Sequence, residues 1–511
     1  MNAYNTQSDK GECMKKFYFF VVFCVSFVVF LFAGCGKIDF FANASANINE
    51  YDIYATLDYD NKTLNATENI RYINKSNSDL HEIKFHLYPN AFRQDATIYK
   101  ATNETQNARA YPNGFSAGNI TIFSVKQGER ETDFAISGED KNLLSVPLDS
   151  VLRSGGVVAI QIAFNLIIPN CNHRFGYGTN TLNLGNWYPI ACVFENNQFV
   201  TDGYSPNGDP FYSDVSNYNV KIEYDAKLKL ASTGNIIEEK QNSDKIITAI
   251  NAKAVRDFAI VFSEKFNMIT AQAGMTTINY FYYDDENSEF HLQTAVDAVN
   301  TFNDLIGIYP YDVLNVVKTN FLQGGMEYPN LVYISDSVDI ENEYNNVIIH
   351  EIAHQWWYGV VGNNECEYAW IDEGLAEYTT ALFYDLNPQY NKTSDEVLNS
   401  ALSSYLLFCD VYKEVYDTLD TSMNRNIHKF KTETEYVYLT YVKGMLMFDS
   451  IAEIIGDNKM KKVLQNFYVE NAMKNANPSD LIKSFESVTH KKLAGYIMSW
   501  LDGSVVFEEL R

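Results

Sequence analysis

From Tyr51 the chain alternates with a period of two. Tyr51, Ile53, Ala55, Leu57 and Tyr59 fall on one face, with Asp52, Thr56, Asp58 and Asp60 between them. Side chains of a strand alternate between its faces, so this is the signature of a strand buried on one side. Asp60-Asn61-Lys62 supplies a turn, and Leu64, Ala66, Ile70 and Tyr72 mark a second strand. Ile83, Phe85 and Leu87 mark a third. Val158, Ile160, Ile162 and Phe164 share a face further on, as do Tyr218, Val220, Ile222 and Tyr224. Half-buried strands in series predict an antiparallel β domain, closed by a strand-like run from Arg256 to Phe262.

A helical period takes over near Ser288. Leu292, Ala295, Val296, Val299, Phe302, Leu305 and Ile306 form an apolar stripe that ends at Gly307 and Tyr309-Pro310. Val313 to Val317 and Leu331 to Ile334 read as strands; Tyr436 to Ile455 and Ile482 to Leu501 read as helical segments. Strands first and helices mixed with strands later predict two domains, at 51–265 and 266–511.

The second half carries the chemistry. His350-Glu351-Ile352-Ala353-His354 places two imidazoles at i and i+4, one helical turn apart on one face, where both reach a single metal ion. Glu351 sits one residue round the helix and reaches a water beside the metal rather than the metal itself. A catalytic zinc site takes three protein ligands and keeps one position open. Glu373, in Trp370-Ile371-Asp372-Glu373-Gly374-Leu375-Ala376, is the candidate third ligand. Upstream, Gln323-Gly324-Gly325-Met326-Glu327-Tyr328-Pro329 precedes a strand. Paired glycines there suggest close approach of another backbone, such as a peptide adding itself to a sheet edge.

These residues resemble the M1 family of zinc aminopeptidases, in the gluzincin clan, whose motif is HExxH, eighteen residues, then Glu. His350, His354, Glu373 and Glu351 match it in full. Asp372 stands where the family more often has Asn, at a position that is not a ligand. Gly324, Gly325, Met326 and Glu327 resemble the family's GxMEN motif, whose Glu binds the substrate's free α-amine; Tyr328 replaces the usual Asn. Tyr441-Val442-Lys443-Gly444 resembles a Tyr-x-Lys-Gly motif whose tyrosine donates a hydrogen bond to the oxyanion. The loop-rich stretch from Gly176 to Pro189 is comparable to one that borders the active site in M1 enzymes.

The resemblance covers about Tyr51 to Gly503. It implies a β-sheet saddle followed by a thermolysin-like α+β domain, one zinc ion, and peptide substrates with a free N-terminus. It also implies a short form without the helical C-terminal domain of many relatives. Two rival functions are a zinc endopeptidase, with Glu327 structural, and a non-catalytic cell-surface binding protein that keeps the fold. The intact Glu351 argues against the second. Glu377, one turn after Glu373, is a candidate to orient a ligand histidine.

Composition adds compartment and excludes partners. The 511 residues carry a net charge of −26, which argues against nucleic acid or anionic lipid as a partner. Aromatics at 14% suit a β-rich chain. Lys15-Lys16, an apolar run from Phe17 to Ala33, then Gly34-Cys35 predict a secretory signal over 1–35. Phe32-Ala33-Gly34-Cys35 resembles a bacterial lipobox in which Cys35 is lipidated, with Phe32 where Leu is preferred; an uncleaved signal anchor is the alternative. Met14 competes with Met1 as the true start. Residues 36–50 read as a tether, and the expected place is the outward face of a bacterial cell envelope. Cys171, Cys192, Cys366 and Cys409 remain, without a CxxC, as buried thiols or one disulfide. His81 and His86 are five residues apart and miss the i+4 face; both read as structural.

Overall fold

The structure, a computed structural model, describes residues 45–97, 104–205, 207–338 and 340–505. The signal segment, Cys35 and the tether as far as residue 44 lie outside the described residues. Strand Asn49–Asp58 buries Tyr51, Ile53, Ala55 and Leu57 and turns Tyr54, Thr56 and Asp58 to solvent, as its alternation requires. The Asp58 carboxylate then accepts the Asn61 backbone N–H at 3.0 Å, fixing the turn into strand Thr63–Ile73.

These two strands lie near the middle of an eight-stranded sheet. Its spatial order is Asn235–Asn242, Lys245–Val255, Ser216–Asp225, Asn49–Asp58, Thr63–Ile73, Val157–Ile167, Asn119–Gln127, Arg130–Thr132. All neighbours pair antiparallel except Asn49–Asp58 with Ser216–Asp225, which is parallel. The long intervening chain allows that exception, since parallel neighbours need a crossover rather than a hairpin. Tyr51 and Tyr218 stack across this pair at 4.8 Å, with Tyr188 edge-on to Tyr51 at 5.7 Å.

Sheet membership changes after strand Ile260–Ser263. A five-stranded sheet follows, in the order Asn267–Ala273, Thr276–Tyr282, Val313–Thr319, Leu331–Ser335, Gly325–Met326. Two of its pairings are parallel, and helix α1 (Ser288–Leu305) connects the first parallel pair, burying Leu292, Val299 and Phe302. Four helices then build the site and its backing: α2 (Glu341–Ala353), α3 (Asp372–Leu386), α4 (Ser394–Tyr416) and α5 (Lys443–Ile455). An N-terminal β-rich region and a C-terminal α+β region are thus both present, as the sequence predicts.

Arg256 joins the two regions. It is fully buried, and its guanidinium donates to the carbonyls of Ser213 (3.2 Å), Tyr358 (2.6 Å) and Lys474 (2.5 Å). Carbonyls replace the water a buried guanidinium loses, which lets the charge stay inside. The predicted helix over Ile482 to Leu501 is two helices, Pro478–Thr489 and Ala494–Leu501, because His490 takes a left-handed φ of 56° and ends the first. The four cysteines beyond the signal segment are free thiols. His86 is buried and stacked on Tyr88 at 4.8 Å, and burial depresses its pKa to about 4, which fits a structural role.

Candidate active site

Helix α2 runs into the site with His350 in its last turn, and His354 caps it in helical conformation. Both rings therefore project from one face. Helix α3 brings Glu373 in its first turn, where the helix N-terminus favours a carboxylate. Three atoms converge: His354 Nε2 lies 3.1 Å from His350 Nε2 and 3.1 Å from Glu373 Oε2, and His350 Nε2 lies 3.4 Å from the same oxygen. Tetrahedral zinc with bonds near 2.0–2.1 Å needs ligand atoms about 3.3 Å apart. The donor set and its spacing fit that ion. His354 Nδ1 stands 2.9 Å from the Trp357 carbonyl, a contact it makes as a donor, which leaves Nε2 free to ligate. His350 Nδ1 is 3.3 Å from Glu377 Oε1.

Charges follow the same geometry. Burial alone would raise the Glu373 carboxyl, but the His354 and His350 imidazoles outweigh it and hold the pKa down at about 2. Glu351 is buried with Oε2 unpartnered among the described residues, and burial pushes its carboxyl up to about 7 against the pull of His350 and His354. That is the range in which a carboxylate accepts a proton readily at neutral pH. Asp372 takes a hydrogen bond from Asn363 Nδ2 at 2.8 Å, and burial with the neighbouring Glu373 pushes it up to about 8.

Tyr441 reaches the metal ligands through a glycine contact. Helices α3 and α5 cross at Gly374 and Gly444, where a Cβ on Gly444 would stand 2.9 Å from Gly374 Cα. Any larger residue would separate them. Lys443 anchors the start of α5, its buried ammonium donating to the carbonyls of Thr421 (2.7 Å) and Trp500 (2.8 Å). A π-helical turn, Tyr438–Val442, precedes α5, a form of local widening common at functional sites. The Tyr441 hydroxyl donates to Glu373 Oε1, while Oε2 faces the histidines, so the two oxygens of one carboxylate divide the work. The Tyr441 ring lies nearly parallel to His350, 16° apart at 6.0 Å.

Gly325–Met326 is the outermost strand of the five-stranded sheet and lies against Glu351. A Cβ on Gly325 would stand 2.3 Å from Glu351 Oε1, so only glycine leaves that carboxylate in place. Gln355, one residue past the metal helix cap, fastens this loop. Its Nε2 donates to the Glu327 and Tyr328 carbonyls (both 3.2 Å), and its Oε1 accepts the Asn330 N–H at 2.9 Å. Glu327 is buried, with Oε1 unpartnered among the described residues; burial and the like charge of Asp209 raise its pKa well above the ordinary carboxylate range. Tyr328 points away, its hydroxyl donating to Asn186 Oδ1 at 2.7 Å beside Gly185. The stretch Gly176 to Pro189, expected to border the site, meets this loop through Asn186 and supplies no lining residue of the cavity.

One cavity of about 410 Å³ joins these residues: Gly324, Gly325, Glu327, His350, Glu351, His354, Glu373 and Tyr441 all line it. Met326, between Gly325 and Glu327, is buried. The structure brings the candidate metal ligands, Glu351, Tyr441, Gly324, Gly325 and Glu327 to this one place, and leaves Met326 out of the lining. Among the lining residues that sequence reasoning missed are two charged ones from the β-rich region that pair with each other. Arg174 and Asp209, from the β-rich region, form a 2.6 Å ion pair in the cavity wall, with the guanidinium also donating to Tyr204 at 3.1 Å. The one signal was position: Arg174 lies two residues before the loop at Gly176.

Residues 290–500 match the model of the Peptidase family M1 domain. The chain carries an M1 peptidase domain. Among curated proteins it is similar to Aminopeptidase M1-B of Oryza sativa subsp. japonica, 23% identical over 225 residues, which are 42% of this chain and 25% of that protein. It is also similar to human Aminopeptidase O, 23% identical over 197 residues, covering 34% of this chain and 24% of that one. The chain thus spans about a quarter of the length of these relatives. Among solved structures, the M1 zinc metallopeptidase of Deinococcus radiodurans superposes with a TM-score of 0.63 at 13% identity, covering 90% of this chain and 95% of that one. A variant of the same enzyme, bound to a Tyr-Ser-Ala substrate, gives 0.64 at 13% identity with the same coverage. The shared fold is the two-region M1 architecture, and the M1 relationship implies one catalytic zinc.

Proposed function

We propose that this protein is a zinc aminopeptidase that cleaves the first residue from peptides with a free N-terminus. The observation that carries this reading is the shared cavity: three converging ligand atoms and buried Glu351 at one end of an open sheet edge, and buried Glu327 at the other, each with one carboxylate oxygen unpartnered among the described residues. His350, His354 and Glu373 would hold the ion. When bound, zinc supplies a Lewis acid that polarises the scissile carbonyl and acidifies water. Glu351 takes the proton from the attacking water and delivers it to the leaving amine. Tyr441 exchanges its bond to Glu373 Oε1 for one to the carbonyl oxygen as that oxygen gains charge. Glu327 accepts the substrate's ammonium and so sets the cut one residue from the end. The relatives named aminopeptidases and the neighbour with a bound tripeptide support the substrate class.

Chelation should abolish hydrolysis of alanine p-nitroanilide and added zinc should restore it; activity that survives chelation and dialysis would refute the metal-dependent reading. Tyr441→Phe keeps the ring and removes the donor. It should lower kcat about 100-fold with little change in KM, the scale of a lost oxyanion donor. Near wild-type kcat in steady-state assays would remove Tyr441 from the mechanism.

The envelope location is a proposal from sequence alone: a lipid on Cys35 tethers the chain to a membrane. Mass spectrometry of the mature N-terminus should find a lipidated Cys35. An unmodified residue upstream would favour the signal anchor.

A further inference from the structure

The open sheet edge has a direction. On the aminopeptidase reading, on which this inference rests, a peptide's ammonium lies at Glu327 and its scissile bond beside Glu351, which touches the Gly325 position. A peptide extending along this edge from there runs antiparallel to the chain, past Gly324 and Gln323 toward Leu322, all three of which line the cavity. Arg109 waits at that end. It lines the same cavity, and its guanidinium donates to the Leu322 carbonyl at 3.1 Å.

Arg109 belongs to the short helix Glu104–Ala110, which comes from the β-rich region. One turn earlier, Gln106 donates to the Glu433 carboxylate of the helix Glu433–Val437, on the other side of the cavity. The contact bridges the β-rich region and the helical wall. Glu433 is near enough for Arg109 to counter the effect of burial on its carboxyl, so a substrate carboxylate would share the guanidinium with it.

We propose that Arg109 binds the C-terminal carboxylate of short peptides, and that the natural substrates are oligopeptides of about three to five residues. The length follows from the strand. Leu322 is five residues from Glu327, and a strand rises about 3.4 Å per residue, giving about 17 Å if extended and less where the chain bends. A planar guanidinium is suited to a carboxylate, with N–H groups left over after the Leu322 bond. Because Arg109 is exposed, solvent and salt reduce the effect.

The test compares tetraalanine, tetraalanine amide and a decapeptide beginning with the same four residues, on wild type, Arg109→Ala and Arg109→Lys. Alanine p-nitroanilide serves as the reporter of aminopeptidase activity. Wild type should prefer tetraalanine to its amide by about 10-fold in kcat/KM, mostly through KM, the scale of one screened charge-assisted bond. The preference should shrink as salt is raised, vanish in Arg109→Ala and partly persist in Arg109→Lys, and the decapeptide should be cleaved more slowly than tetraalanine. Equal rates on acid and amide by a wild type that cleaves the reporter would overturn the proposal and leave the aminopeptidase reading standing. So would an undiminished preference in Arg109→Ala. A folded, zinc-loaded wild type that does not cleave the reporter or any of the peptides would overturn both.

Discussion

Glu351→Gln should lower kcat by about 1,000-fold while zinc content stays at one per chain. The side chain keeps its size, so the loop at Gly325, which has no room for a Cβ against this carboxylate, should remain in place. What is lost is the base. An amide does not accept a proton from water at neutral pH, and a positioned acid or base contributes about 100- to 10,000-fold. Glu351 should fall within that range because it is buried in the cavity beside the metal ligands, with Oε2 unpartnered among the described residues. KM should change little, since substrate contacts at Glu327 and the sheet edge are untouched. Steady-state kinetics with metal analysis of the same preparation would decide. A variant with wild-type kcat would place the base elsewhere, and one that lost its zinc would make Glu351 a ligand.

His354→Ala should fail at the earlier step, by losing the metal. His354 Nε2 stands 3.1 Å from each of the other two ligand atoms. Removing an outer partner of a metal ligand already costs about 10- to 100-fold in affinity, and removing a ligand costs more. The two variants therefore separate cleanly: both lack activity, and only His354→Ala lacks zinc. Ligand binding to the folded state raises stability by mass action. Added zinc should raise the Tm of zinc-depleted wild type and Glu351→Gln and leave that of His354→Ala near its starting value. Equal zinc content in wild type and His354→Ala would overturn the ligand assignment.

Local spacing made the two histidines and Glu351 legible, since i, i+4 periodicity is a property of one helix. The strands were legible for the same reason: Tyr51, Ile53, Ala55 and Leu57 are all buried, on a period any sheet must have. Position within the fold was not. Tyr441 meets Glu373 because Gly374 and Gly444 let two helices touch, and neither glycine announces its partner. Resemblance to a family supplied that tyrosine; the pattern of the chain alone would have left it in the core.

Arg174, Asp209 and Arg256 were illegible for a related reason. Each acts across the junction of the two regions, and long-range charge placement leaves no periodic trace. The parallel pair in the eight-stranded sheet escaped too, since alternation specifies which face is buried but not the direction of the neighbour. The break at His490 depends on a single left-handed residue inside an otherwise helical pattern.

The central claim is that position at Glu327, added to zinc chemistry, makes this an enzyme of peptide N-termini. The most direct measurement is kcat/KM for a dipeptide reporter with a free amine against the same reporter N-acetylated. The account predicts a preference for the free amine of about 100-fold or more in wild type, eroded in Glu327→Ala, because an acetyl group removes the charge that a buried carboxylate accepts. Equal cleavage of both reporters by wild type would contradict it and make the protein an endopeptidase; cleavage of neither by the folded, zinc-loaded protein would leave the fold without the activity.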